Sequence, residues 1–233
     1  MCGRVASSFS WKQLHTLLRL LILPPDVAAR YNIAPTDTMP IVRERLGRRQ
    51  CVDAVWGLEA PWAVSVAGSG GGAGSGMPRP TNARAETITQ KPMFRDAFAS
   101  RRCVVPVSGF YEWQARAGSA KRPHFVTRAD GEPMLLAGIW NENTAVTFAV
   151  VTTAAPAGFA IIHDRAPLVL ESHQVDHWLN APRDEAARML RPVPDGILMW
   201  HEVSTRVNSV KNQGPELVLP HASNGGSQML FGE

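Results

Sequence analysis

Long apolar runs are missing from this 233-residue sequence. A membrane-spanning helix needs about 20 consecutive apolar residues, and the nearest approach, Leu17 to Pro25, is interrupted by Arg19, Pro24 and Pro25. No charged, apolar, small-residue succession of the secretory type opens the chain, so a cytoplasmic protein with no membrane partner is expected. Cysteine is scarce. Cys2, Cys51 and Cys103 are too few and too scattered for a disulfide framework or a metal cluster, and free thiols in a reducing compartment follow. The histidines show no ligand spacing, so neither a metal nor a cofactor is expected. A large excess of one charge is lacking too: 24 Lys and Arg stand against 20 Asp and Glu, a net +4. That balance permits a nucleic-acid partner without requiring one. Nothing demands more than a monomer.

What is present reads as mixed structure. Ser10-Trp11-Lys12-Gln13 has the form of a capping box, and Leu14, Leu17, Leu18 and Leu21 follow at helical spacing. The pattern predicts an amphipathic helix over 11–22, stopped by Pro24-Pro25. A second helix is expected from about Phe94 to Arg102. A third opens at Pro182, carries Asp184 and Glu185 in its first turn and ends near Arg188 and Arg191, an order that suits the helix dipole. Strands are predicted at 39–43, 50–57, 103–113, 123–128, 134–140, 145–153, 167–170 and 198–204, where β-branched and aromatic runs end in turn signals. Several strands in succession without a helix argue against a doubly wound parallel sheet. The expected class is α+β, a single domain over 1–221 with a curved, largely antiparallel, barrel-like sheet flanked by a few helices. Residues 67–76, made only of Gly, Ala and Ser, have little to bury and much entropy to lose, which predicts a flexible loop. The segment 222–233 is expected to be a flexible tail.

Four constellations could carry chemistry. In Met1-Cys2-Gly3-Arg4, removal of Met1 would give Cys2 a free α-amine beside its thiol. The amine, with a reference pKa of about 7.7–8.0, is partly neutral near neutrality and can form a Schiff base with an aldehyde. The tethered thiol can then close a thiazolidine on the same carbon. In Asn82-Ala83-Arg84-Ala85-Glu86-Thr87, an amide and a guanidinium two residues apart in an extended segment point to one side. Asn82 could serve a substrate oxygen or the Cys2 amine, and Arg84 a phosphate. The run from Arg102 to Trp113 delivers Glu112 amid aromatics, a desolvated setting that suits a general acid/base, with Trp113 as a face for base stacking. In His163-Asp164-Arg165, a histidine that can pass a proton precedes an arginine that can neutralise a phosphate. Each has a plainer alternative: an incidental second residue, a polar strand edge, a solvated strand-end Glu beside a core Trp, and a turn His paired with Asp164.

Together these pieces resemble the SRAP family, named for SOS response-associated peptidases and known for abasic-site DNA–protein crosslinks. The matching segments are Met1 to Arg4, Tyr31-Asn32-Ile33-Ala34-Pro35-Thr36, Trp56-Gly57-Leu58, Asn82 to Thr87, Arg101 to Trp113, His163 to Arg165 and Val203-Ser204-Thr205-Arg206-Val207-Asn208. The resemblance implies that Cys2 is the crosslinking nucleophile and that Asn82 helps place its amine or the sugar. Glu112 would be the acid/base for ring opening and Schiff-base formation, and His163 would assist proton transfer. Arg4, Arg84 and Arg165 would hold phosphates beside the lesion, Trp113 would wedge or stack, and Asn32 and Pro35 would join the DNA-contacting set. The implied partner is single-stranded DNA containing abasic sites, with lyase or autopeptidase activity as further family traits; the only leader to cleave here is Met1. Ser108, Ala166 and the stretch Glu59-Ala60-Pro61-Trp62 depart from the usual pattern. Two other functions compete. An N-terminal-nucleophile amide hydrolase also begins Met-Cys-Gly, and a binding module without chemistry could use the same cations and Trp113.

Overall fold

The computed structural model describes residues 2–20, 22–24, 27–62 and 79–221. Met1, the loop predicted at 67–76 and the tail predicted at 222–233 lie outside the described residues.

Apolar residues that continue along both faces of a strand require cover on both sides, and here a closed sheet supplies it. β3 (Thr38–Arg45) pairs antiparallel with β4 (Arg48–Trp56) and with β6 (Arg102–Val107). β6 pairs with β9 (Met134–Glu142), and β9 with β10 (Val146–Ala154). β10 then returns to β4 through a short parallel contact, Thr147 with Val55 and Phe148 with Trp56, which completes a ring. β5 (Asn82–Arg84) adds to β10 in parallel, β11 (Arg165–Pro167) adds antiparallel, and β12 (Val169–Leu170) lies on β9. Strand alternation sorts the side chains. Val104, Ala137, Ile139, Ala149 and Val151 face the helices, whereas Cys103, Val105, Leu136, Phe148 and Val150 face inward.

A second, antiparallel sheet has the order β13 (Leu198–Glu202), β8 (Ser119–Arg128), β7 (Gly109–Arg116), β1 (Val5–Ser7) and β2 (Arg30–Ile33). The single strand expected over 103–113 is therefore two strands in two sheets. The chain changes sheet at Ser108, whose N–H donates to the Ala6 carbonyl (2.8 Å) and whose Oγ accepts from the Ser8 N–H (2.8 Å). Gly109 is required there, because a Cβ would sit 2.5 Å from both the Phe125 ring and the Val126 carbonyl. The predicted run 167–170 is likewise split into β11 and β12.

The helices cover the outside of the ring: α1 (Trp11–Leu17), α2 (Ala85–Ile88), α3 (Pro92–Ser100), α4 (Val175–Asn180) and α5 (Arg183–Arg188). α1 stops five residues before the predicted end. Leu20 N–H returns to His15 O (3.1 Å) and Arg19 N–H to Thr16 O (3.2 Å), with Arg19 at φ 50°. This is a Schellman closure, in which backbone bonds end the helix before the prolines are reached. Arg102 joins two other helix ends. Its guanidinium donates to the carbonyls of Phe98 (2.7 Å) and Ala99 (3.0 Å) on α3, to Trp178 on α4 (2.5 Å) and to Ala181. A cation at two helix C-termini satisfies orphan carbonyls and opposes both dipoles. Among the described residues no helix is long and apolar enough to cross a membrane.

Arg45 pairs with Arg48 across a two-residue turn in which Leu46 and Gly47 have φ 54° and 69°. That conformation favours Asn or Gly at its first position, and Leu46 is 93% exposed with no packing to lose. Leu46→Asn should therefore stabilise the protein by about 0.5–1 kcal/mol, raising the melting temperature by about 1–4 °C in a thermal melt. A lower melting temperature would refute this account of the turn.

Candidate active site

β1 sits inside its sheet, between β2 and β7. Val5 lies opposite Phe110, Ala6 opposite Gly109, and the Tyr111 N–H donates to Arg4 O (2.9 Å). Continued along the chain, this register carries Gly3 and Cys2 past Glu112 and Trp113. Cys2 is fully buried and packs with the inward-facing residues of the ring. Burial pushes its thiol far above the ordinary cysteine range, and the nearby Glu112 charge adds to the effect.

Asn82 arrives from β5. Its Nδ2 donates to the Cys2 carbonyl (2.8 Å) and to Thr81 Oγ1 (3.1 Å). Its Oδ1 is buried and accepts no hydrogen bond among the described residues. Glu112, on β7, is only 4% exposed, so it is not a solvated strand-end carboxylate. Oε1 of Glu112 lies 3.8 Å from Nε2 of His163, which follows a 3-10 turn at Ala157–Ile161. Nδ1 of His163 accepts the Arg165 N–H (3.0 Å), and Asp164 Oδ1 lies 2.8 Å from the same nitrogen. The Arg165 N–H needs the lone pair of Nδ1, whereas the Asp164 carboxylate can bond to Nδ1 only through a proton, so the two contacts compete for one nitrogen while Nε2 faces Glu112. Nδ1 toward Asp164 and Nε2 toward Glu112 are separate approaches of one ring. The structure brings Cys2, Asn82, Glu112 and His163 to one place from four separate segments.

The remaining candidates divide. Arg4 donates through Nη1 to Asn32 Oδ1 (2.6 Å) and Val207 O (2.8 Å), and its guanidinium carbon lies 5.7 Å from the centre of the Trp113 ring. Trp113 Nε1 donates to Asn208 Oδ1 (2.8 Å). Asn32 is fully buried, and its Nδ2 serves the carbonyls of Val207, Ser209 and Asn212, so its route to a bound strand runs through Arg4. Pro35 is half-buried beside Thr36, which has φ 76° and is pinned by a hydrogen bond to Trp56 O (2.8 Å). Arg165 binds both oxygens of Glu86 (2.5 and 3.0 Å) and Thr152 O (2.7 Å). Arg84 lies opposite Thr152 on β10 and is exposed. Ala83 between them is buried, so Asn82 and Arg84 do share the face away from it.

Sequence reasoning overlooked Glu86, Thr152 and Asn208. Glu86 and Asn208 lie within the matched segments, but the identity of their partners depends on chain crossings that spacing does not reveal. Among the described residues no group of three or more His, Cys, Asp or Glu could hold a metal.

Removing the Asn32 amide would leave three carbonyls and Arg4 without their common partner. Asn32→Ala should cost about 3 kcal/mol, read from the urea midpoint, while Arg84→Ala should stay within about 0.5 kcal/mol. Equal effects would contradict the distinction between a buried clamp and a free cation.

Comparison with known proteins shows the family and the fold. A sequence model of the family described as SOS response associated peptidase (SRAP) matches residues 1–210. The chain is 32% identical over 234 residues to abasic site processing protein YedK of Escherichia coli, covering 94% of this chain and all of that protein. It is 32% identical over 205 residues to abasic site processing protein YoqW of Bacillus subtilis, covering 82% and 86%. Among solved structures, a protein from Bacteroides thetaiotaomicron superposes with a TM-score of 0.78 at 22% identity, covering 94% of this chain and all of that one. A phage-related protein from Bordetella bronchiseptica gives 0.69 at 25% identity over 87% and 94%. With its ring of strands, its buried second-position cysteine and a match across most of its length, the chain belongs to the SRAP family.

Proposed function

We propose that this protein senses abasic sites in single-stranded DNA and bonds to them through Cys2, shielding the lesion. The observation that carries this reading is a chain of contacts around one buried cysteine: Asn82 on the Cys2 carbonyl, the Glu112 charge near its thiol, and His163 facing Glu112. The names of YedK and YoqW, both abasic site processing proteins, support it.

Once Met1 is removed, Cys2 carries an α-amine. Asn82 Oδ1, with its accepting lone pairs in reserve, suits that amine, while Nδ2 fixes the Cys2 carbonyl. The sugar of an abasic site must open to its aldehyde, a proton transfer that Glu112 and His163 are positioned to assist. The amine adds to the aldehyde carbon and water leaves, giving a Schiff base. The thiol then adds to the same carbon while its proton is relayed through Glu112 to the imine nitrogen, which becomes the ring N–H, and Glu112 ends as it began. A thiolate is strongly disfavoured in this burial, so the amine attacks first.

Arg4, Arg84 and Arg165 supply phosphate contacts, and Trp113 offers a stacking face worth about 1–3 kcal/mol. In the unbound chain Glu86 occupies both terminal nitrogens, Nη1 and Nη2, of Arg165, so a phosphate must share that guanidinium or displace the half-exposed carboxylate.

Intact-protein mass spectrometry after mixing with an oligonucleotide carrying one abasic site tests the reading. The expected product has the mass of the protein lacking Met1 plus the oligonucleotide less water, and is absent with Cys2→Ala. An adduct that survives Cys2→Ala would sink the assignment. Salt-sensitive binding with no adduct would favour the module without chemistry, and glutaminase activity the amide hydrolase.

The order of attack has its own signature. Crosslinking rate should rise with pH up to about 8, as the amine loses its proton, and then level off. Continued acceleration across about pH 8.5–9.5, where an ordinary thiol ionises, would mean that a thiolate attacks first.

A further inference from the structure

Beyond Trp113 the hairpin of β7 and β8 runs past the reactive centre into solvent. Residues 115–122 are all exposed. From Trp113 to Ala129 the sequence contains no acidic residue, and it carries Arg116, Lys121 and Arg122 around the tip. Arg122 is engaged by Glu202 of β13 at 2.7 Å. Arg116 and Lys121 form no ion pair among the described residues. Between them stand only Ala117, Gly118, Ser119 and Ala120, which offer nothing apolar to bury and let a bulky ligand approach the backbone. An exposed two-stranded ribbon is marginal by itself.

Its base, in contrast, is fixed to the site. Glu112 lies at the root of the hairpin, opposite His124. Gln114 Nε2 donates to Ile161 O (3.0 Å), two residues before His163. A register irregularity between Gln114 and Arg116 adds local twist where the ribbon leaves the sheet. The four residues from Glu112 to Arg116 span roughly 14 Å of strand, which matches about four nucleotides of a stacked strand at about 3.4 Å each.

We infer that this hairpin is an arm that holds the phosphates of one DNA flank, through Arg116 and Lys121, about four nucleotides from the lesion. The inference rests on the proposed reaction at Cys2 and adds a direction to it: the protein grips one side of the lesion more than the other. Arg122, committed to Glu202, is outside the arm's contact set.

The test uses the full chain and an Arg116→Ser/Lys121→Ser variant, with two oligonucleotides of equal length that carry the abasic site near the 5′ end or near the 3′ end. The variant should crosslink one of them more slowly than the wild type and the other at the wild-type rate, because only one leaves phosphates within reach of the arm. On an undamaged single strand, its plot of log affinity against log salt should be shallower by about 1.4, so the wild type loses roughly seven-fold more affinity than the variant between 50 and 200 mM salt. Equal slowing on both oligonucleotides, no slowing on either, or an unchanged salt slope would overturn the arm. A wild type that crosslinks neither oligonucleotide would instead remove the Cys2 reading, with the salt slope still deciding whether the arm binds DNA.

Discussion

The pairing of β1 with β7 is the constraint on which the site depends. A chain terminus ordinarily frays unless something ties it down. Here the first strand is inserted between two others, with Val5 opposite both Ile33 and Phe110. Tyr111 reinforces both neighbours: its N–H holds Arg4 O and its hydroxyl donates to Tyr31 O at 2.7 Å. Cys2 is thereby held against the inward-facing residues of the ring, and Asn82 fixes its carbonyl from the opposite side. A residue anchored next to a paired strand is held more rigidly than one on a free loop.

The other walls come from one strand and one sheet change. β10 holds β4, β5, β9 and β11, so Asn82 and Arg165 reach the same region from distant parts of the sequence. The turn at Ser108 and Gly109 moves the chain from the ring into the second sheet, and Glu112 follows three residues later. Without a glycine at 109, the close approach of Phe125 and Val126 would be blocked and β7 could not take this path.

Net charge is a poor guide to where free cations lie, because many are committed internally. Arg102 caps two helices, Arg43 lies 4.2 Å from the centre of the Trp140 ring and pairs with Glu142, and Arg128 is shared by Asp130 and Glu171. The excess of four positive charges therefore says little by itself. What matters is which guanidinium and ammonium groups remain unspent, and among the described residues those include Arg84, Arg116 and Lys121.

The sequence by itself determined the class of fold and most of the strands, and it named the residues that the fold gathers around Cys2, because alternating apolar runs and short motifs are local signals. It also placed α3 and α5 nearly where they occur, the latter from its charge order and leading proline. It misplaced the end of α1 and merged β6 with β7, since a Schellman closure and a change of sheet leave no periodic trace. The ring closure between β10 and β4, the burial of the Cys2 thiol and the partners of Arg4, Arg165 and Asn32 were decided only by the tertiary structure. Each of these depends on segments tens to hundreds of residues apart, where packing and desolvation, rather than local preference, set the outcome.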